Sequence, residues 1–538
     1  MISRRRFLLS SVASGAGYAA APKLFAATQT AANIESHGYH YIRLFPPGAA
    51  STPGSDLEKG LIELAGKMKD NEDAKGDSDI FAGYTYLGQF IDHDLTLDIT
   101  PLDEVRPQKV EQTRNYRTPF LDLDQLYGSG PDVSSFLYRK HGSESPQGEE
   151  RFLLGATTES TVVNSAGHTE TLISSCNDLP RNSQGTALVG DARQDENLIL
   201  AQLHIAFLKL HNFVLNHPAE LGKSPYYKIE PAFEAARRVV TWHYQWIVRH
   251  DFLRSILDPD LLNQLDSRDY KSLIRGPLKG FQIPIEFSAA AFRFGHSMVR
   301  HEYPYNSRHE GAKLVDDLFQ RTGFGKTGNV PLPEEWVIGW ERFFRLRSPF
   351  SVAMARKIDT RITEDLFHLL PPQLRAFSAA SNPKTAFAPD PPELPVRTLL
   401  RGARMGLPVA QGVARKILLL DPKIRVLSAD EIAKGPHQAF LRQQGFDKDT
   451  PLWYYILKEA EVIHSGKRLG PIGSRIVADV ILASLAADPK SYINVAGRDW
   501  VPTLWRPTPE DETPTGMAEL LGLVTSARAE DSKACNNT

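Results

Sequence analysis

Residues 195–216, DENLILAQLHIAFLKLHNFVLN, and 230–257, EPAFEAARRVVTWHYQWIVRHDFLRSIL, bring apolar side chains round every three or four positions, a period that predicts amphipathic helices. The same period predicts helices over 79–97, 286–300, 454–463 and 474–487, while the strictly alternating runs that make half-buried strands are scarce. The expected fold class is therefore mainly α, with little β structure. Connecting stretches such as KHGSESPQGEE (140–150) and SNPKTAFAPDPPELP (381–395) are long and rich in turn formers, but none separates two balanced halves, and no internal repeat recurs. After Arg506 the chain turns polar and Pro-rich before a short apolar patch, which reads as a peripheral tail over 507–538.

Composition narrows the possible partners. The chain has 538 residues, 41% hydrophobic and 23% charged, which is ordinary globular material with length enough for a sizeable core. Its 62 basic and 64 acidic residues leave a net charge of -2, which gives no reason to expect nucleic acid or an anionic membrane surface as partner. The implied ligand is small and not polyanionic. Cys176 and Cys535 are the only cysteines, too few for a disulfide framework or a thiolate metal site, so any metal must rest on His, carboxylate or backbone oxygen. The start, MISRRRFLLSSVASGAGYAAAPKLFAATQT, sets Arg4, Arg5 and Arg6 before a short apolar run and small residues suited to a peptidase. This predicts an export signal over residues 1–27 and an exported protein, periplasmic or secreted. Ser3 to Leu8 resembles the twin-arginine type, whose route carries proteins already folded. The apolar run falls short of the ~20 residues of a spanning helix and no other stretch approaches that length, so no stable membrane insertion is expected.

Four segments carry candidate chemistry. YLGQFIDHDLTLDIT (86–100) packs Gln89, Asp92, His93 and Asp94 among apolar residues. On a helix, Gln89, Asp92 and His93 share one face at spacings of three and four, while Asp94 is turned about 100° from His93. Burying that face without partners costs several kcal/mol, so something polar must lie against it. YRTPFLDLDQLYGSG (116–130) spaces Thr118, Phe120, Asp122 and Asp124 at even intervals, and in an extended loop alternate residues point to one side. Thr and Asp oxygens with a backbone carbonyl suit a hard cation such as calcium, and Asp94 can complete the set; a D-x-D is equally what a solvated turn looks like. GDARQDEN (190–197) leads into a long helix with Arg193 and Glu196 one turn apart; an Arg there is disfavoured by the helix dipole, and the plain reading is a surface pair. FSAAAFRFGHSMVR (287–300) sets His296 after Gly295 and one helical turn after Arg293. Such a histidine is either packed in the core or offered to a haem iron, with Gly295 giving the macrocycle room and Arg293 meeting a propionate.

Together these segments, in this order, resemble the animal-type haem peroxidases of the peroxidase and cyclooxygenase superfamily, in one of their bacterial members. The resemblance covers roughly residues 80–500, including LPVRTLLRGARMGLP (394–408), PLWYYILKEAE (451–461) and LGPIGSRIVADVI (469–481). It implies a large single-domain haem peroxidase fold over 28–538. It implies His93 as the distal histidine, Gln89 as its neighbour, Arg193 as the distal arginine and His296 as the iron ligand of haem b. Asp94, Thr118, the Phe120 carbonyl, Asp122 and Asp124 match the family's calcium site. Asp92 and Glu196 match the carboxylates that form ester links to haem, and Arg293 and Arg401 match residues near the propionates. The implied reaction reduces hydrogen peroxide and oxidises a small electron donor (a phenol, iodide, bromide or thiocyanate) through a ferryl state.

Two positions depart from the family pattern. Thr398 stands where an Asn usually accepts a hydrogen bond from the proximal imidazole, and its shorter side chain is expected to leave His296 less basic if it fails to reach. Asn197 stands where myeloperoxidase has the methionine of a third haem link, which makes chloride a less expected donor than the other halides. A fatty-acid dioxygenase of the same superfamily is one alternative, but it needs a tyrosine at the position of Arg293, and Phe292 and Phe294 cannot replace it. A haem- and calcium-binding scaffold without turnover is another, kept open by Thr398 and opposed by the joint presence of Gln89, His93 and Arg193.

Overall fold

Most of the helices expected from the 3.6-residue period form, and they pack on one another around a continuous apolar core. The computed structural model describes residues 38–505 and 516–526, apart from 50, 71–76, 101, 103–106, 140–149, 164–165, 218–229, 266, 268–269, 275–277, 324–330, 347 and 370–390. The export segment 1–27 lies outside the described residues. The principal helices are α1 (Asp56–Lys67), α2 (Gly83–Leu95), α3 (Leu198–Asn216), α4 (Ala232–Ile247), α5 (Leu394–Arg404), α6 (Leu452–His464), α7 (Pro471–Ala487) and α8 (Gly516–Ser526). Strand content among the described residues is confined to two-stranded ladders, so the fold is mainly α as expected.

Helix α3 is the centre of the packing. Asn197 caps it by accepting from the Leu200 amide at 2.9 Å. It is long and apolar enough to cross a membrane, contrary to the expectation that only the chain's start came close, but it is enclosed by protein on nearly every side. Helix α2 is pinned to α3 and α4 by Phe90, which stacks on Phe207 at 4.8 Å and meets Tyr244 edge-on at 6.0 Å. Such pairs add about 0.5–1.5 kcal/mol each beyond area burial. At its start α2 approaches Phe343 and Phe344 so closely that a Cβ at Gly83 would lie 2.2 Å from the Phe344 ring. With one face fixed in this way, the other polar positions of α2 are aimed at defined neighbours.

Several boundaries differ from the periodicity. Residues 79–81 belong to a strand, Asp77–Phe81, paired antiparallel with Met354–Arg356. The run 230–257 is helical over 232–256 but passes from α4 through a π turn at Val248–Phe252 into Leu253–Ile256. The single helix expected over 286–300 is instead a short α turn, Ile285–Ser288, followed by a 3-10 helix, Ala291–Met298. The Arg293 Nε donates to the Ser288 carbonyl at 2.7 Å, so a side chain takes up an acceptor that a continuous helix would use. The apolar patch of the expected peripheral tail is α8, whose Met517, Leu520 and Leu521 are fully buried against the core. Cys176 is disulfide-bonded.

Helices α1 and α5 were not legible from the period. Ser55 caps α1 by accepting from the Glu58 amide, and Arg404 of α5 grips both carboxylate oxygens of Glu58 at 2.6 and 3.0 Å. This contact fixes α5, which carries Thr398 and Arg401.

Acid lability is built into α3. Burial pushes His204 and His211 down to about 3. Unfolded, both titrate near 6.5, so below that pH the unfolded chain takes up protons that the folded chain refuses. Stability is therefore full above about 6.5 and falls toward 3, by up to about 1.4 kcal/mol per pH unit for each histidine. Thermal melts between pH 7 and 5 should show a shallower fall in His204→Gln than in wild type; equal slopes would remove His204 from this account.

Candidate active site

The helical spacing of α2 divides its polar residues between two clusters, as the sequence predicts. On the first face, the Gln89 amide donates to Glu196 Oε2 at 3.2 Å and accepts from the Asn197 side chain at 3.1 Å. Asn197 thus has two duties: it caps α3 and orients Gln89. Asp92 accepts from the Thr96 hydroxyl at 2.9 Å and pairs with Arg293 at 3.2 Å. That ion pair ties the residue next to His93 to the segment that carries His296.

Arg193 is no surface residue. Asp191 caps the 3-10 turn Ala192–Asp195 and binds the Arg193 guanidinium at Nε (3.1 Å) and Nη2 (2.8 Å), while Nη2 also donates to the carbonyls of His93 (3.2 Å) and Thr96 (2.8 Å). Burial and the positive charge of Arg193 together hold the His93 imidazole well below its usual range, so it is neutral at pH 7. Burial, aided by Arg293 and Arg397, does the same to His296. Glu196 is pushed up by burial against the opposing pull of Arg193 and Arg397. Asp191 and Arg397 were not singled out as site residues from the sequence; only the D of the Gly-Asp turn and the cation adjoining Thr398 were there to be noticed.

The residues fit an internal ligand. Arg193, Glu196 and His296 lie deep in the fold yet keep open surface, as side chains facing an internal cavity do. The His296 Nδ1 is buried with no hydrogen-bond partner, and the ring is met edge-on by Trp453 of α6 at 5.8 Å. Trp453 in turn donates to the Arg293 carbonyl at 3.0 Å. Thr398 does not serve His296: its hydroxyl donates to the Leu394 carbonyl one turn back in α5, at 2.9 Å. Arg401 binds Asp98 at 2.7 Å and the Thr100 carbonyl at 2.9 Å, just as Arg293 is engaged by Asp92.

The second cluster gathers what Asp94 faces. Carboxylate oxygens of Asp94, Asp122 and Asp124 lie within 4.8 Å of one another, and both oxygens of Asp94 are buried without a hydrogen-bond partner. Burial and mutual repulsion drive Asp94 far above the carboxylate range and push Asp122 up to about 7. The Thr118 hydroxyl donates to Asp122 at 2.9 Å and lies 3.4 Å from the Phe120 carbonyl, so the five expected groups do converge. They do not converge by extended alternation. The loop curls, with Leu123 in the left-handed region at φ 59° and Asp124 opening a short helical turn. Arg117, unmarked in the sequence, joins Asp124 (3.0 Å) to Asp191 (3.3 Å), so charged groups run unbroken from this cluster to Arg193.

The animal haem peroxidase family matches residues 98–368, half of the chain, a span that includes Arg193, Glu196, His296 and the 118–124 loop. Thyroid peroxidase of Mus musculus is 29% identical over 200 residues, 35% of this chain and 20% of that protein. A peroxidase-like protein of Margaritifera margaritifera is 35% identical over 114 residues, 21% of this chain and 14% of that one. These alignments span about a fifth or less of the curated relatives' own length. In structure, peroxidase A of Dictyostelium discoideum superposes with a TM-score of 0.53 at 18% identity, covering 90% of this chain and 93% of that one. A fatty acid alpha-dioxygenase of Arabidopsis thaliana gives 0.54 at 16% identity, over 91% and 77%. At such identities the structural likeness is one of fold, shared by peroxidase and dioxygenase alike. The match across residues 98–368, together with that fold, places the chain in the animal haem peroxidase family.

Proposed function

We propose that this chain binds haem through His296 and reduces hydrogen peroxide at the expense of small donors: phenols, iodide, bromide or thiocyanate. The observation that carries the reading is the pair of enclosed, neutral histidines, His93 and His296, on segments joined by the Asp92–Arg293 ion pair. When bound, haem supplies the redox centre that accepts oxidising equivalents from peroxide and passes them to a donor. The chain supplies the proton chemistry. Neutral His93 takes a proton from peroxide and returns it to the departing oxygen. Arg193, anchored on Asp191, stabilises negative charge as the O–O bond polarises. Gln89, held at both ends of its amide, keeps a polar group beside the reacting oxygens. At the position where a dioxygenase carries its tyrosine, Arg293 offers no phenol.

Calcium belongs to the same proposal, held by Asp94, Thr118, Phe120, Asp122 and Asp124. Asp92 and Glu196 are the carboxylates available for ester links, and solvent extraction of haem after peroxide cycling tests whether they form. Export rests on the twin-arginine-like start; replacing Arg4 and Arg5 with Lys should retain the protein in the cytoplasm. The function is tested by titrating haem into calcium-replete protein, then following peroxide consumption with guaiacol, iodide or bromide. Haem binding without peroxide consumption would favour the scaffold instead.

Thr398 leaves a measurable mark. In Thr398→Asn a longer side chain gives His296 Nδ1 an acceptor, which makes the imidazole a stronger donor to iron. The ferric form should gain by about tenfold, a potential lower by about 59 mV for one electron, with a stiffer iron–histidine stretch by resonance Raman. An unchanged stretch would show that position 398 does not reach His296 in either form.

A further inference from the structure

Gln194 is fully buried, and its side-chain amide nitrogen lies 3.5 Å from Nδ1 of the buried His93. The amide oxygen of the same side chain is buried with no hydrogen-bond partner. Among the described residues Gln194 is the polar side chain that meets this ring nitrogen.

Which end of the amide faces the ring decides what the ring can do. An imidazole that takes and returns a proton at Nε2 carries its other proton on Nδ1 throughout, both as the neutral base and as the imidazolium. Its Nδ1 partner must therefore be an acceptor at every stage. With the NH2 end toward Nδ1 the ring is instead held as the Nε2–H tautomer, which has no lone pair to offer at Nε2. The two ends of the amide are close to isosteric, and a half-turn brings the unpartnered oxygen to Nδ1.

We propose that Gln194 is a positioning residue for the distal imidazole, accepting Nδ1–H through its side-chain carbonyl and so presenting Nε2 unprotonated to the cavity. Gln194 never touches peroxide; it acts through His93. The Ala192–Asp195 turn that anchors Arg193 thus also sets the tautomer of the base, so one turn prepares both distal groups. The choice of the carbonyl end rests on the peroxidase reading above, while the tautomer is measured apart from peroxide turnover.

The test separates the two. Full-length, calcium-replete protein is labelled with 15N-histidine and loaded with zinc protoporphyrin, which keeps the lines sharp; the His93 signals are assigned by their absence in His93→Ala. Wild type is expected to show a protonated Nδ1 and a bare Nε2. Gln194→Glu, an acceptor at both oxygens, should keep that tautomer. Gln194→Leu should shift His93 toward a mixture and slow the peroxide reaction of the haem-loaded protein by about tenfold to a hundredfold, with haem affinity unchanged. An Nε2–H tautomer in wild type, or the same tautomer in wild type and Gln194→Leu, would overturn the proposal. A wild type with the expected tautomer but no reaction with peroxide would leave this assignment standing and overturn the peroxidase reading instead.

Discussion

His93→Ala is expected to slow the reaction of the haem-loaded protein with hydrogen peroxide by about 10²–10⁴-fold, the usual worth of a positioned acid–base group. Haem should still bind, because His296 and the residues around it lie on other segments. The argument rests on protonation state as much as on place. The charged fraction of a histidine titrating near 6.5 could not accept a proton at neutral pH, whereas burial and the neighbouring guanidinium keep His93 neutral. Stopped-flow absorption of the two proteins, mixed with peroxide before any donor is added, measures the difference. If the variant reacts within tenfold of wild type, His93 is not the base, and the proton must pass through another group.

Loss of the proposed cation is expected to be the second large effect. Three clustered carboxylates, one with both oxygens buried and unpartnered, form an arrangement that repulsion and desolvation disfavour until a cation enters. A ligand present at about 1,000 times its dissociation constant stabilises the folded state by about 4 kcal/mol. Chelation with EGTA should accordingly lower the melting temperature by several degrees, and Asp94→Asn should weaken binding of calcium, or of luminescent terbium, by at least about tenfold. The consequences reach the distal side by two routes: Asp94 adjoins His93 in α2, and Arg117 links Asp124 to the Asp191 that holds Arg193. Peroxide reactivity should therefore fall together with cation occupancy. Terbium that does not bind, with melting unchanged by EGTA, would show that protonation and Arg117 neutralise the cluster without a cation.

Much of the site was legible because helix geometry converts spacing directly into direction. Gln89, Asp92, His93 and Asp94 lie within six residues of one helix, and their division between two clusters follows from rotation per residue alone. The 118–124 loop was legible in its chemistry but not in its shape, because its turn depends on Leu123 adopting a left-handed conformation that no side-chain pattern marks. The break before His296 was hidden for a related reason: the apolar period continues across it, while in the fold Ala290 leaves the helical region and Arg293 takes the Ser288 carbonyl.

Residue type and local period determined by themselves the mainly α character, the presence of long helices and the inventory of polar groups set against apolar surroundings. The tertiary structure decided which of those groups meet. Asp191 on Arg193, Arg117 between two acids, Gln194 against His93 and Thr398 turned back to its own helix all depend on how distant segments pack. A period records which face of a helix is apolar, but the partner of a buried charge is chosen by the packing that excludes water from both, and that packing is a property of the whole chain.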